Sequence, residues 1–184
     1  MNRSDTTMKV LTLGRFSISM AGKPVAVDWP DETLKVFFCS LLSPLDIYFT
    51  WDRICRAMLG VAETRDSRRQ LESTYIRPLN NFLFKELGFN PIIAGHEGIS
   101  IDQHVIHVDA LEFYRTVLEG LRLMSLTDHS AAIKKFSKAN ALYVGCYLPG
   151  MQGKIIINTR KELESLYRTA LIYDASELAV RKYY

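Results

Sequence analysis

Cysteine is scarce in this chain of 184 residues: Cys39, Cys55 and Cys146 are too far apart to form a CxxC pair. An odd, scattered set of thiols argues against a disulfide framework and for a reducing, cytoplasmic address. No apolar run approaches the roughly 20 residues that a membrane-spanning helix needs. The opening MNRSDTTMKVLTLG lacks the apolar core of a signal peptide, and the polar residues 1–7 are expected to be loose. Phosphate-cradling loops are missing as well. Gly-Lys occurs at 22–23 and 153–154 without the remainder of such a loop, and there is no GxGxxG. No serine sits in a nucleophile elbow, and no base stands near Cys146 in the sequence. Glu162 and Glu164 lie two apart on a helical stretch and so point in different directions. His104 and His107 form an HxxH with no third ligand at a suitable spacing, so a surface position or boundary packing is the default reading and no metal is expected. Cys39 and Cys55 read as packing residues. These absences make the chain a non-enzyme without a cofactor.

An excess of one charge is also lacking. Lysine and arginine number 23 against 20 acidic residues, a net charge of +3. That balance permits nucleic-acid binding without arguing for it, so the distribution of charge must decide. Hydrophobic residues make up 48% of the chain, enough for a real core and against disorder.

The first hundred residues are patterned as a small sheet, three helices and a hairpin. Leu11 and Leu13, then Phe16, Ile18 and Met20, alternate with polar residues through one change of phase, predicting short or bulged strands. AGKP at 21–24 reads as a turn, and 25–27 as a further strand. Asp31 opens a helix whose apolar side is Leu34, Phe37, Phe38, Leu41 and Leu42, stopped at Ser43-Pro44. Thr50 caps a second helix, WDRICRAMLG, with an apolar stripe of Ile54, Ala57 and Met58. A third helix is predicted over 66–87, capped by Asp66 or Ser67 and ended by Gly88, with Leu71, Tyr75, Leu79, Phe82 and Leu83 inward. Pro78 lies inside it and predicts a kink. PIIAGHEGISID at 91–102 reads as a hairpin.

From residue 108 the period is helical to the end. Three stretches follow: VDALEFYRTVLEGLRLM, a second capped by Thr127 or Asp128, and a long third from Ile157 onward, expected to split near Tyr173. Leu111, Tyr114, Leu118, Leu121, Ile133, Phe136, Leu142, Leu163, Leu166, Tyr167, Leu171 and Leu178 form the stripes, read first as core between stacked helices and second as a partner groove. The composition shift near 103–108 sets a division into 8–103 and 108–184, with the halves packed together. Val180 and Tyr183-Tyr184 are expected to dock on a further helix or a second subunit.

Strands, three helices and a hairpin follow the winged-helix plan, and a leading sheet resembles the output domain of two-component response regulators. VLTLGRFSISMAGKPV, TWDRICRAMLG, RRQLESTYIRPLNNFLFKELG and GISIDQHVIHVDALEFYRTV resemble successive parts of the Streptomyces antibiotic regulatory protein family. AAIKKFSKANALYVGCYLPG and TRKELESLYRTAL resemble the bacterial transcriptional activator domain that follows the winged helix in that family. The resemblance runs from about residue 8 to the end. It implies an α+β chain: a winged helix with a small leading sheet, then an all-α, tetratricopeptide-like domain. It also implies sequence-specific binding to double-stranded DNA, with the helical domain supporting a homodimer or contact with RNA polymerase or another protein. The family's helical domain usually runs longer, so the chain reads as a fragment or a shortened member.

The residues themselves support a DNA reading on the third helix. With Leu71, Tyr75 and Phe82 inward, Arg69, Ser73, Arg77 and Asn80 fall on the opposite face. Residues 64–77 hold Arg65, Arg68, Arg69 and Arg77 against Asp66 and Glu72, a local +2 (four minus two). Arg and Asn side chains pair with guanine and adenine edges in the major groove. Ser73 and Thr74 suit phosphate or base, Trp51 and Arg53 suit the phosphate backbone, and His96 at the hairpin tip suits the minor groove. The alternative is a protein-interaction adaptor whose winged helix no longer binds DNA. Pro78 would bend a recognition helix, and the hairpin tip carries Glu97 and no cation. A third reading is a truncated module that needs further domains.

Overall fold

The computed structural model describes residues 7–46 and 48–181, with the backbone alone for 175–181. It is a mixed α+β fold with two small sheets. The docking expected of Val180 and Tyr183-Tyr184, and the packing of Leu178, lie outside the described residues and side chains.

Strands β1 (Met8–Leu11), β2 (Ser17–Met20) and β3 (Lys23–Val25) form an antiparallel meander. The third strand begins at the expected turn, two residues earlier than the valine pattern predicts, because Met20 pairs with Lys23 across a two-residue connection. Helix α1 (Glu32–Leu41) is capped by the Asp31 carboxylate, which accepts from the Leu34 N–H at 2.7 Å. Its face of Leu34, Phe37, Phe38 and Leu41 is buried as its spacing dictates. β4 (Tyr48–Thr50) follows, a strand that the sequence reading does not contain. Thr50 then caps α2 (Trp51–Met58) as expected.

The third helical region is longer in its parts than a single α-helix. α3 (Arg65–Leu71) starts with a capping box between Thr64 and Ser67, so Thr64, and neither Asp66 nor Ser67, is the cap. A π-helical turn, Glu72–Ile76, joins it to α4 (Arg77–Leu87). All flanking residues keep right-handed helical angles, and the Arg77 N–H bonds to the Glu72 carbonyl five residues back. The turn shifts the hydrogen-bond register just before Pro78, which has no N–H to donate, and the helix continues through the proline. Gly88, at φ 78°, ends the helix as predicted. Strands β5 (Ile92–Ala94) and β6 (Gly98–Ile101) form the predicted hairpin, and β4 pairs with β6 to give the order β4-β6-β5.

The stretch expected to divide the halves is a strand. β7 (Ile106–Val108) pairs in parallel with β1, giving the first sheet the order β3-β2-β1-β7. Helices α5 (Asp109–Ser125), α6 (His129–Leu142) and α7 (Lys154–Arg181) follow, α6 capped by Asp128. α7 runs on through Tyr173 without a split, and it begins earlier than expected, at Lys154. Phe136, Leu163 and Ala170 are fully buried among these helices, while Leu118 and Leu171 of the predicted stripes face outward at 42% and 40% exposure.

Buried polar contacts join the two parts. The Asp109 carboxylate, at the start of α5, accepts from the Thr12 N–H at 2.7 Å, the Thr12 hydroxyl at 2.6 Å and the Leu13 N–H at 3.1 Å. The Ser43 and Thr159 hydroxyls meet at 2.7 Å, and the Tyr147 hydroxyl donates to the Cys39 carbonyl at 3.2 Å. Among the described residues no helix is long and apolar enough to cross a membrane.

Candidate nucleic-acid interface

The buried positions along the third helical region are 67, 71, 76, 79, 83 and 87. Their spacings are four, five, three, four and four. A five cannot belong to an uninterrupted α-helical stripe, and it falls on the π turn. The extra residue turns everything after it back by about 100°. Without it, Leu79, Leu83 and Leu87 would face away from the side that buries Ser67 and Leu71. The same rotation acts on the outer face. Arg77, twelve residues after Arg65, would stand about 120° round an unbroken helix, and the turn returns it to within about 20°.

The result is one exposed stripe. Arg65, Arg69, Ser73 and Arg77 are all exposed, as is Thr74 beside them. No hydrogen bond or ion pair engages the Arg65, Arg69 or Arg77 guanidinium among the described residues. Asn80 departs from expectation. It is half-buried, and its Oδ1 is shielded from solvent without a hydrogen-bond partner. Asn81 takes the outward place instead, with Lys85 beyond it. An unbroken 3.6-residue period hides Asn81, and the step from Leu71 to Ile76 is the signal that would have revealed it. If this face meets DNA, Asn80→Ala should leave affinity within about twofold, and Asn81→Ala should lower it by roughly 1–3 kcal/mol where it pairs with a base. Titration of one labelled duplex with both variants decides this, and the reverse order would refute the phase argument.

Two other predicted contacts, Trp51 and Arg68, are engaged within the protein, and Arg53 is held in an ion pair while its side chain stays exposed. Trp51 is only 2% exposed. Its indole N–H donates to the His96 carbonyl at 2.9 Å and the Gly95 carbonyl at 3.2 Å, and its backbone N–H donates to the Glu97 carbonyl at 3.2 Å. Neither polar group of Trp51 is available to a phosphate, which corrects its expected role. The Arg68 guanidinium lies over the Trp51 ring, 4.2 Å from its centroid. It donates to Glu72 Oε1 at 3.2 Å and to the His96 and Gly95 carbonyls at 3.2 and 3.4 Å. Arg53 pairs with Asp46 across the start of α2, and its guanidinium sits 6.0 Å from the Phe49 ring centroid. Burial pushes the Asp46 carboxyl up against the opposing pull of Arg53. The His96 ring is exposed at the hairpin tip, beside the exposed Glu97.

Burial pushes the Cys39 thiol far above its ordinary range and raises Cys55 as well, while Cys146 is exposed. His107 meets Glu112 at 3.5 Å, and His104 is exposed. Among the described residues no group of three His, Cys, Asp or Glu side chains is placed to hold a metal.

No protein-family model matches the chain, and no curated protein does. Among solved structures, Mycobacterium tuberculosis EmbR in complex with a low-affinity phosphopeptide matches with a TM-score of 0.58 at 15% identity. The match covers 90% of this chain and 43% of that one. At this identity the likeness is one of fold, and the chain spans under half of its neighbour's length.

Proposed function

We propose that this chain is a cytoplasmic transcription regulator that binds double-stranded DNA in a sequence-specific way. Residues 8–103 act as a winged helix behind its leading sheet, α3 through α4 reads the major groove, and the β5–β6 hairpin is the wing. Residues 108–184 act as a tetratricopeptide-like helical module for a homodimer, RNA polymerase or another protein partner. The observation that carries this reading is the exposed, unpaired row of Arg65, Arg69 and Arg77, with Ser73 between them and Asn81 one turn beyond. Free guanidinium groups on one continuous helical face suit phosphates and guanine edges at once. The family resemblance and the fold shared with EmbR support it.

Selection of genomic fragments by the purified protein, followed by titration at several salt concentrations, tests the reading. Each lost phosphate contact reduces the log–log salt slope by about 0.9. Arg69→Ala combined with Arg77→Ala is expected to reduce the slope by one to two such steps if one or both meet phosphate, and to relax sequence preference where either meets a base. Enrichment of nothing by the unaltered protein, or identical behaviour of the variant, removes the DNA reading. The second reading, a protein-interaction adaptor, rests on the hairpin tip, whose one charged side chain is the carboxylate of Glu97. An adaptor binds no mixed DNA even at low salt.

A further inference from the structure

We propose that Trp51 and Arg68 are positioning residues that clamp the hairpin tip to the reading helix, and that the tip braces this helix without touching nucleic acid. The inference rests on the DNA reading above for its second half, and on the geometry alone for its first.

The clamp joins three segments that are remote in sequence. Trp51 opens α2, Arg68 lies in the first turns of α3, and Gly95 to Glu97 form the tip of the hairpin. The Trp51 indole is buried, and the Arg68 guanidinium stacks on it at 4.2 Å. Both side chains then donate to the same two carbonyls, those of Gly95 and His96. A carbonyl oxygen has two lone pairs, so each of these oxygens is fully used. The Glu97 carbonyl is taken in turn by the Trp51 N–H at 3.2 Å. Three successive tip carbonyls therefore face the helices.

The planar fork of Arg68 suits two adjacent acceptors while it stacks on a ring. Its Nε is held by Glu72, so three of its five N–H donors are spent within the protein. This separates it from Arg69, its exposed and unpaired neighbour. The outward groups of the tip are the His96 ring and the Glu97 carboxylate. A carboxylate beside phosphates is repulsive, the tip segment itself carries no lysine or arginine, and the one guanidinium docked on it, that of Arg68, is turned to its carbonyls. The hairpin is thus built to be held by the helices, and its free surface is not built to be held by DNA.

The test compares the unaltered chain with Arg68→Ala, Arg68→Lys, Arg69→Ala and His96→Ala. In the free protein, amide hydrogen exchange is read at Trp51, whose N–H depends on the Glu97 carbonyl, and at Gly95, whose N–H bonds to the Gly98 carbonyl. Arg68→Ala is expected to speed both by at least about tenfold. Arg68→Lys keeps the charge but loses the fork, and it should give a smaller change of the same sign. Unchanged exchange at both amides in folded Arg68→Lys and Arg68→Ala would overturn the clamp. With DNA, Arg68→Ala should weaken binding by a constant factor at every salt concentration, leaving the slope as in the unaltered protein. Arg69→Ala should lower the slope by about 0.9 if it meets a phosphate, and His96→Ala should change affinity less than twofold. A slope loss in Arg68→Ala, or clear weakening by His96→Ala, would place the tip or Arg68 on the nucleic acid and overturn the brace. Failure of the unaltered protein to bind any DNA would remove the DNA reading, and the exchange rates would still decide the clamp.

Discussion

Replacing Gly98 by alanine is expected to lower stability by at least about 3 kcal/mol, through overpacking that the surroundings cannot relieve. A Cβ at this position would stand 2.0 Å from the Phe49 carbonyl oxygen, 2.8 Å from its carbon and 2.9 Å from the Thr50 Cα. All three are backbone atoms of β4, so no rotamer change clears them. Gly98 is the residue that pairs with Thr50, and Phe49 beside it is wholly buried. Relief requires β4 and β6 to separate, which would expose Phe49 and pull the hairpin tip from Trp51. For a chain of this size such a loss lowers the melting temperature by roughly 10 °C. Gly95→Ala is the control three residues away. Its added Cβ would meet only the Gly98 carbonyl, at 3.9 Å, so stability should hold within about 0.5 kcal/mol. Thermal melts of both variants followed by circular dichroism settle the matter. A Gly98→Ala protein that melts with the unaltered chain would mean that β4 and β6 are not paired in this register.

The contrast between Gly98 and Gly95 marks where sequence reading stops. The GHEG turn and both hairpin strands are legible, because the turn residues and apolar runs lie within a dozen positions. β4 is not, since three residues, Tyr48–Thr50, cannot display an alternation, and their partner lies fifty positions on. The same limit hides β7, whose three residues look from sequence like a boundary. Its pairing with β1 crosses nearly a hundred residues. Caps at Asp31, Thr50 and Asp128 are legible because the bond closes within three residues. The arginine stripe is half legible. Arg65 and Arg69 follow from composition and period, and Arg77 does so only by a fortunate choice of inward residues. An unbroken helical period continued past Ile76 turns Asn80 outward, and the π turn is what brings it in. Trp51 and Arg68 carry no local sign of their joint task. Stacking and shared carbonyls are properties of the fold, and each residue alone looks like an exposed helix start or one more surface cation.

Asp109→Ala should be the other large effect, a loss of about 3–5 kcal/mol, because it strands several buried donors at once. Thr12 and Leu13 have no exposed surface, and the Asp109 carboxylate is what their N–H groups and the Thr12 hydroxyl meet. Removing it leaves two backbone donors and a hydroxyl without water or partner. The defect also lies between β1 and α5, so it loosens the joint between the leading sheet and the helical part. Thr12→Val keeps the volume and removes one donor, and it should cost about 1 kcal/mol. In Asp109→Ala the hydroxyl already lacks its acceptor, so adding Thr12→Val should cost little more, and the double variant should fall short of the sum. Asp109→Asn should lie between, since its amide keeps one acceptor but turns an NH2 group toward an N–H donor. Urea unfolding of the four variants beside the unaltered chain measures this directly. Additive losses would show that Thr12 and Asp109 act separately, and an Asp109→Ala midpoint equal to that of the unaltered chain would show that the carboxylate does not hold the joint. A broadened or two-step transition in Asp109→Ala would add that the sheet and the helices unfold as one body only while this contact is intact.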